Sequence, residues 1–349
     1  MRAKLFIGYI AFISLLTALL GLVPGHNGDL GYYIACVIEK SEGPRNLFQK
    51  TSDVLLKELP PQEFTRHHER LMNSDPGILD FYRVKPVYIL LITLLHSLGF
   101  SYIFSTLIPS LLSYLGIGLL TFRWASLVLQ PVLALLSSML IMMLYPAITL
   151  ARLSTPDALS HLVLLGSLYS IYFGKKIFLP VLLLLLSVLI RMDNIVAVFV
   201  ILTAMRFLPV GSPGRRLTSL SYPLLLLTAA GLAFSMNYFL ETDFWWFTRI
   251  SYLDSGKQYG RQVLLYFLTM SASLLVVLIL FFVITYFSPG KKMSEKTKSF
   301  LLMLLLVVVA RFLLFPSFEE RFLTAYYISA ILILAESVSG IKTGEVIPA

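Results

Sequence analysis

Charge is scarce in this chain. Of its 349 residues only 13% are Asp, Glu, Lys or Arg, against about 25% in an ordinary soluble domain. So little polar surface excludes a soluble globular fold, a disordered chain, a solvated coiled coil and a nucleic-acid-binding domain. Cysteine is almost missing as well. With Cys36 alone, an intramolecular disulfide and a Cys-based metal cage are both excluded. Histidine is sparse and poorly spaced for chelation. Adjacent His67 and His68 project in different directions, unlike an i, i+4 pair, so His26, His67, His68 and Glu69 read as a solvated loop. No repeat of 20–50 residues and no low-complexity tract is visible. What the chain has instead is apolar length: 57% of it is hydrophobic, with a mean hydropathy of +0.82. The sequence predicts an all-α polytopic membrane protein, with residues 1–349 forming a single membrane domain.

A helix needs about 20 apolar residues to cross the hydrocarbon core. The first run, 5–23, follows Arg2 and Lys4 and ends in Val23-Pro24-Gly25. It lacks the small-residue cleavage motif of a signal peptide and reads as an uncleaved anchor. Further apolar runs lie near 86–100, 102–121, 124–147, 158–174, 177–190, 195–208, 217–239, 262–287, 299–316 and 322–339. The run 86–100 decides the topology. If it crossed, Lys175, Lys176, Arg206, Arg215, Arg216 and the cluster from Lys291 to Lys298 would face outward, inverting the positive-inside rule. It is also only about 22 Å long at 1.5 Å per residue. The sequence therefore predicts a helix tucked into the outer leaflet. That leaves ten transmembrane helices, both termini cytoplasmic, and Arg123 and Lys342 in cytoplasmic segments. The net charge of +9 then reports topology and not an anionic partner.

The same parity argument divides 177–208 into two short helices. Their polar tip, Arg191-Met192-Asp193-Asn194, stops below the outer surface and implies an outward-opening cavity. Two outer elaborations remain, 25–100 and 240–261. The first carries an amphipathic segment, Asn46 to Leu59, expected to lie at the interface. The second holds Asp243, Trp245, Trp246 and Phe247.

On this topology every acidic residue except Glu295, Glu336 and Glu345 lies on the outer side. A solvated first loop accounts for those from Glu39 to Asp80. It does not account for Asp29, Asp157, Asp193, Asp243 or Glu319-Glu320, each just beyond the outer end of a span. Arg83, Lys85, Arg152, Arg191, Arg311 and Arg321 share that level, and Arg311 lies inside its span. Charges at or within a membrane boundary are functional candidates. Cations at such a boundary hold a lipid phosphate, and a carboxylate accepts a proton from an incoming hydroxyl. Each candidate has a plainer reading beside it. Arg83 and Lys85 could snorkel, Arg191 and Asp193 could only hold a turn, Glu319, Glu320 and Arg321 could form a charged turn, and Asp157 could favour a helix start capped by Ser154 or Thr155.

The motifs come in a telling order. Asp29 follows the first span in Pro24-Gly25-His26-Asn27-Gly28-Asp29-Leu30-Gly31-Tyr32-Tyr33. Leu79-Asp80-Phe81-Tyr82-Arg83-Val84-Lys85-Pro86 then enters the short helix. Ser154-Thr155-Pro156-Asp157, Arg191-Met192-Asp193-Asn194 and Glu319-Glu320-Arg321-Phe322 complete the set. This order resembles the GT-C superfamily of integral-membrane glycosyltransferases. The resemblance implies a polyprenyl-phosphate sugar donor held in the lipid bilayer. The acceptor would be a glycan, a lipid or a protein, and the active site would lie on the non-cytoplasmic face. The compactness of the chain favours a bacterial inner membrane, with the site towards the periplasm or exterior, over the endoplasmic reticulum. It makes Asp29 the catalytic residue and Asp157 the match to a second acidic motif. That motif has one acid here where the family often has two, so no metal and no other cofactor is expected. Arg83, Lys85, Asp157, Arg191, Asp193, Arg311 and Arg321 become substrate-binding residues. Two other classes fit the residues without the resemblance. A transporter or lipid flippase suits the interrupted 177–208 segment, and a non-catalytic scaffold would tolerate substitution of Asp29, Arg83 and Arg191.

Overall fold

The computed structural model describes residues 2–174, 176–210, 217–240, 261, 293–314 and 320–339. Every regular element among them is helical, and one isolated bridge joins Gly25 to Leu153. The helices are α1 (Arg2–Leu22), α2 (Leu30–Glu42), α3 (Leu47–Glu58), α4 (Pro61–Met72), α5 (Leu79–Arg83), α6 (Pro86–Ser97), α7 (Tyr102–Val128), α8 (Pro131–Met143), α9 (Tyr145–Arg152), α10 (Asp157–Phe173), α11 (Phe178–Ile190), α12 (Ile195–Phe207), α13 (Ser221–Phe239), α14 (Glu295–Leu314) and α15 (Thr324–Ser339). Large apolar side chains cover their outward faces, among them Ile7, Leu15, Leu22, Leu140, Phe178, Leu227 and Leu313. A soluble protein does not carry such a surface; a lipid bilayer accommodates it.

The helices run between two ends. Antiparallel α1 and α7 set the frame: Phe6 stacks on Phe122 at 5.8 Å, the Tyr9 hydroxyl donates to the Gly118 carbonyl at 3.0 Å, and Gly21 faces Leu111. The end where α1 finishes is called distal. Gly25 N–H donates to the Arg152 carbonyl at 2.8 Å there, so α9 finishes at the same level. α10 leaves the distal end, and its last turn meets α14, where Tyr172 contacts Thr297. α11 returns beside α10, with Ser167 donating to the Pro180 carbonyl. α12 descends again, and α13 rises against it, from the Tyr222–Thr203 contact to the Asn237–Met192 contact. α14 climbs from Phe300, packed on Trp124, to Arg311 beside Asp193. α15 descends from His161, which accepts from Ala325 N–H, to Glu336, which accepts from Tyr172.

Among the described residues four helices can cross a membrane by length and composition: α1, α7, α13 and α14. The α8–α9 pair makes a fifth if its 60° bend lies within one span. The bend falls at Leu144 ahead of Pro146, where proline removes a helix hydrogen bond. α10, α11, α12 and α15 run between the same ends with 17, 13, 13 and 16 residues. These are roughly 20–25 Å, shorter than the ~30 Å core. The α11–α12 pair forms the expected hairpin, with Met192–Asn194 as one 3-10 turn at its tip.

Two expected boundaries shift. The runs 102–121 and 124–147 do not divide at Arg123. α7 continues to Val128, Arg123 lies exposed within it, and the chain turns at Leu129-Gln130 ahead of Pro131, which suits a first helical position. The first loop is also not a simple solvated segment. α2 through α6 build an apolar core of their own around Leu30, Tyr33, Ile34, Leu55, Tyr82 and Ile92. α3 matches the amphipathic segment, but its buried Leu47 and Leu55 face α2 and α4, so protein takes up its apolar side. α6 is 12 residues long. It starts after Lys85 at the distal end, and its last turn lies by Tyr102, where His96 stacks at 3.7 Å and Glu58 of α3 accepts the Tyr102 and Ile103 N–H groups. Both ends of α6 therefore belong to the first-loop layer. Lys175, Arg215, Arg216, Asp243, Trp245, Trp246, Phe247, Lys291, Lys292, Glu319, Lys342 and the runs 240–261 and 262–287 lie outside the described residues, apart from Leu240 and Arg261.

Candidate active site

Asp29 immediately precedes α2 and starts it, its carbonyl accepting from Tyr32 and Tyr33 N–H. Its side chain makes no cap. One carboxylate oxygen accepts from the Tyr82 hydroxyl at 2.8 Å and the other from Asn27 Nδ2 at 3.0 Å. Arg70 of α4 lies 3.9 Å from the same oxygen as Tyr82. The carboxylate is thus fixed from two sides and still 24% exposed. Gly28 makes room for this: a Cβ there would sit on the Arg70 guanidinium.

Lys85, the last residue before α6, is almost fully buried. Its ammonium donates to the Tyr33 hydroxyl at 3.1 Å and lies 3.8 Å from the Phe81 ring centroid, 4.6 Å from Tyr82 and 5.2 Å from Tyr33. Aromatic faces are the surroundings that suit a buried cation. Burial first, then the Arg191 charge, push the Lys85 ammonium down to about 7, against the opposing pull of Asp29 and Asp193. Lys85 thus shares the Tyr82 ring with Asp29, the ring face meeting the ammonium and the hydroxyl meeting the carboxylate.

The tip carries a buried ionic network. Arg191 pairs with Asp157 of α10 and, in a fork at 3.0 and 2.8 Å, with Asp193. Arg311 of α14 donates to Asp193, and Arg321 lies 3.5 Å from Asp157. The three guanidinium carbons surround one ring, Phe322, at 4.7, 5.3 and 4.8 Å from its centroid. Asn194 ties the tip to Ser160 and to the Ser187 carbonyl. Five of the residues singled out in the sequence thus meet in one cluster. Asp157 is the first residue of α10, but neither Ser154 nor Thr155 caps that helix; Thr155 donates to the Asp157 carboxylate instead. Buried beside these groups, Asn27 Oδ1, Ser154 Oγ and Tyr326 Oη have no protein hydrogen-bond partner among the described residues. Unpaired buried polar atoms are what a polar ligand or water satisfies.

Arg83 does not join them. Its guanidinium forks onto Glu39 at 2.9 and 2.5 Å and reaches Asp80 at 2.6 Å. Two carboxylates engage it, and it clamps α5 to α2. The histidines are also structural. His68 bonds Ser52, His26 lies 3.5 Å from Glu63, and burial lowers the pKa of both His26 and His67.

Compared with protein-family models, curated proteins and solved structures, the chain finds no match.

Several site residues are not visible in the sequence. Tyr82, Asn27 and Arg70 orient Asp29, and Phe322 receives the arginines. Tyr82 and Phe322 stand inside quoted motifs, yet aromatic residues are common at membrane interfaces, and nothing in their spacing separates a site residue from an anchor. Arg70 sits in a polar helix whose buried residues are His67 and Leu71. Only the packing of α4 over α2 brings it to Asp29.

Proposed function

We propose that this protein is a membrane glycosyltransferase of the GT-C type, with a ten-span topology and its site on the non-cytoplasmic face. The observation that carries the reading is Lys85, buried against the ring of Tyr82, whose hydroxyl holds the exposed carboxylate of Asp29. Topology supports it too: Lys4, Arg123, Lys176, Arg206, Lys296 and Lys298 belong to the end opposite the site, as cytoplasmic residues do.

The donor is a polyprenyl-phosphate sugar whose lipid lies along the apolar flank. An acceptor hydroxyl approaches Asp29, which takes its proton as the oxygen attacks the anomeric carbon. The bond from that carbon to the phosphate oxygen breaks, and its electron pair stays on the phosphate. Lys85, with Arg191 behind it, offsets the charge that builds there. Asp157 and Asp193 hold the guanidiniums in place, Tyr82 and Asn27 hold the base, and Arg83 has no direct part.

The test uses purified protein in lipid nanodiscs with radiolabelled polyprenyl-phosphate sugars and a mixed acceptor pool. Transfer by the natural chain and its loss in Asp29→Asn, with the variant still monodisperse, are expected. Full transfer by Asp29→Asn would discard the mechanism. Lipid or solute movement with no transfer would favour a transporter.

A further inference from the structure

A cavity of about 410 Å³ lies away from Asp29, between α2, α6 and the distal end of α13. Its volume falls in the range of small-molecule sites, roughly 300–1,000 Å³. Its lining includes polar Glu39, Arg83 and Lys40 and apolar Ile89, Leu240 and Phe239, the last largely exposed. The resting mechanism uses none of these groups.

The chemistry of the walls selects the ligand. Arg83 is forked onto Glu39 and also bound by Asp80. Glu39 lines the cavity and Asp80 holds Arg83 from outside it, so the Arg83 charge is already compensated and Lys40 is the one further cation of the lining. The lining offers fixed donors and acceptors together with an aromatic ring and aliphatic side chains. A neutral polyhydroxylated ligand fits both. Its hydroxyls match the guanidinium–carboxylate edge, and its C–H face lies on the ring.

We propose that this cavity is a saccharide-binding subsite. Its role depends on the glycosyltransferase reading: it holds a remote sugar of the acceptor while another hydroxyl reaches Asp29. Glu39 lies ten positions beyond Asp29 along α2, roughly 15 Å at 1.5 Å per residue. The acceptor is therefore a glycan longer than one sugar.

The experiment measures binding, not transfer. Full-length protein in nanodiscs is probed by saturation-transfer NMR with neutral trisaccharides built from glucose, mannose, galactose or N-acetylglucosamine, without donor. At least one is expected to bind at millimolar concentration. Binding should weaken about tenfold, or 1.4 kcal/mol, in Ile89→Trp, which fills the cavity, and in Phe239→Ala, whose exposed position leaves folding intact. Inorganic phosphate should not compete. No binding by any trisaccharide, unchanged binding in Phe239→Ala, or displacement by phosphate overturns the proposal. The two readings fail separately. Sugar transfer with saccharide binding indifferent to both variants removes the subsite and leaves the enzyme. Saccharide binding lost in the variants, with no donor ever consumed, removes the enzyme and leaves the subsite.

Discussion

Arg311 and Asp193 stand 118 residues apart in the chain and share a hydrogen bond inside the protein, where each is almost fully buried. Arg191 holds the other oxygen of that carboxylate's fork, and through Asp157 the same network reaches α10. One tip between two short helices thus fastens three further chain segments.

Removing Arg191 leaves Asp157 and Asp193 buried with one cation fewer. Breaking a buried pair this way costs about 3–5 kcal/mol. Arg191→Met is expected to lower the thermal unfolding midpoint in detergent markedly. Exchanging Arg191 and Asp157 together for Met and Leu should restore much of it. Equal midpoints for natural protein and Arg191→Met would show that the network is not structural.

Activity should depend on pH through Lys85. Its ammonium titrates near 7 in the folded protein, so the charge facing the leaving phosphate is present below that pH and lost above it. The apparent kcat/KM, which reports the free enzyme, is expected to fall as pH rises through 7. Arginine stays protonated throughout, so Lys85→Arg should remove that limb. A flat profile in the natural chain, or the same limb in Lys85→Arg, would contradict this role.

On the proposed mechanism Tyr82 orients Asp29 through its hydroxyl without touching the reacting atoms. Loss of its hydroxyl in Tyr82→Phe removes one hydrogen bond, about 1.5–3 kcal/mol where one partner is charged, and predicts a kcat lowered at least about tenfold with KM for donor little changed. Steady-state kinetics check both parameters. A change confined to KM would place Tyr82 in binding instead.

Gly28→Ala puts a methyl group where the Arg70 guanidinium now lies. Arg70 is a flexible, half-exposed side chain, so it can swing away, and a surface pair of this kind contributes at most about 1 kcal/mol. The midpoint is expected to move little while transfer falls to the level of Arg70→Ala. Thermal melts and transfer assays on both variants decide it, and a severe stability loss would mean that Gly28 is needed for its backbone.

Topology can be checked with cysteines. Cys36 is buried, with burial pushing its thiol up to about 12, so in its place Cys36→Ala gives a silent background. Single cysteines at Lys50 of α3 and at Lys176 before α11 are expected to label from opposite faces of intact cells. Labelling from the same face would collapse the proposed site.

The sequence by itself settled what depends on local chemistry. Apolar length made the chain a helical membrane protein. The short apolar run at 86–100 marked α6 as shorter than a span, and Arg191-Met192-Asp193-Asn194 broke 177–208 into a hairpin. The amphipathic period of 46–59 located α3. Period and length carry such information because neighbouring residues share one backbone geometry. They did not locate α2, whose residues from Leu30 to Ile38 are all buried and show no face, nor the true end of α7. Only the tertiary structure decided which charges meet. Arg83 and Arg191 look equivalent as residues beside a short helix. One is spent on Glu39 because α5 packs on α2, and the other reaches Asp157 because α11 returns along α10. A hydrogen-bonded pair of charges needs its atoms within about 3 Å, and only packing brings segments that distant in the chain so close.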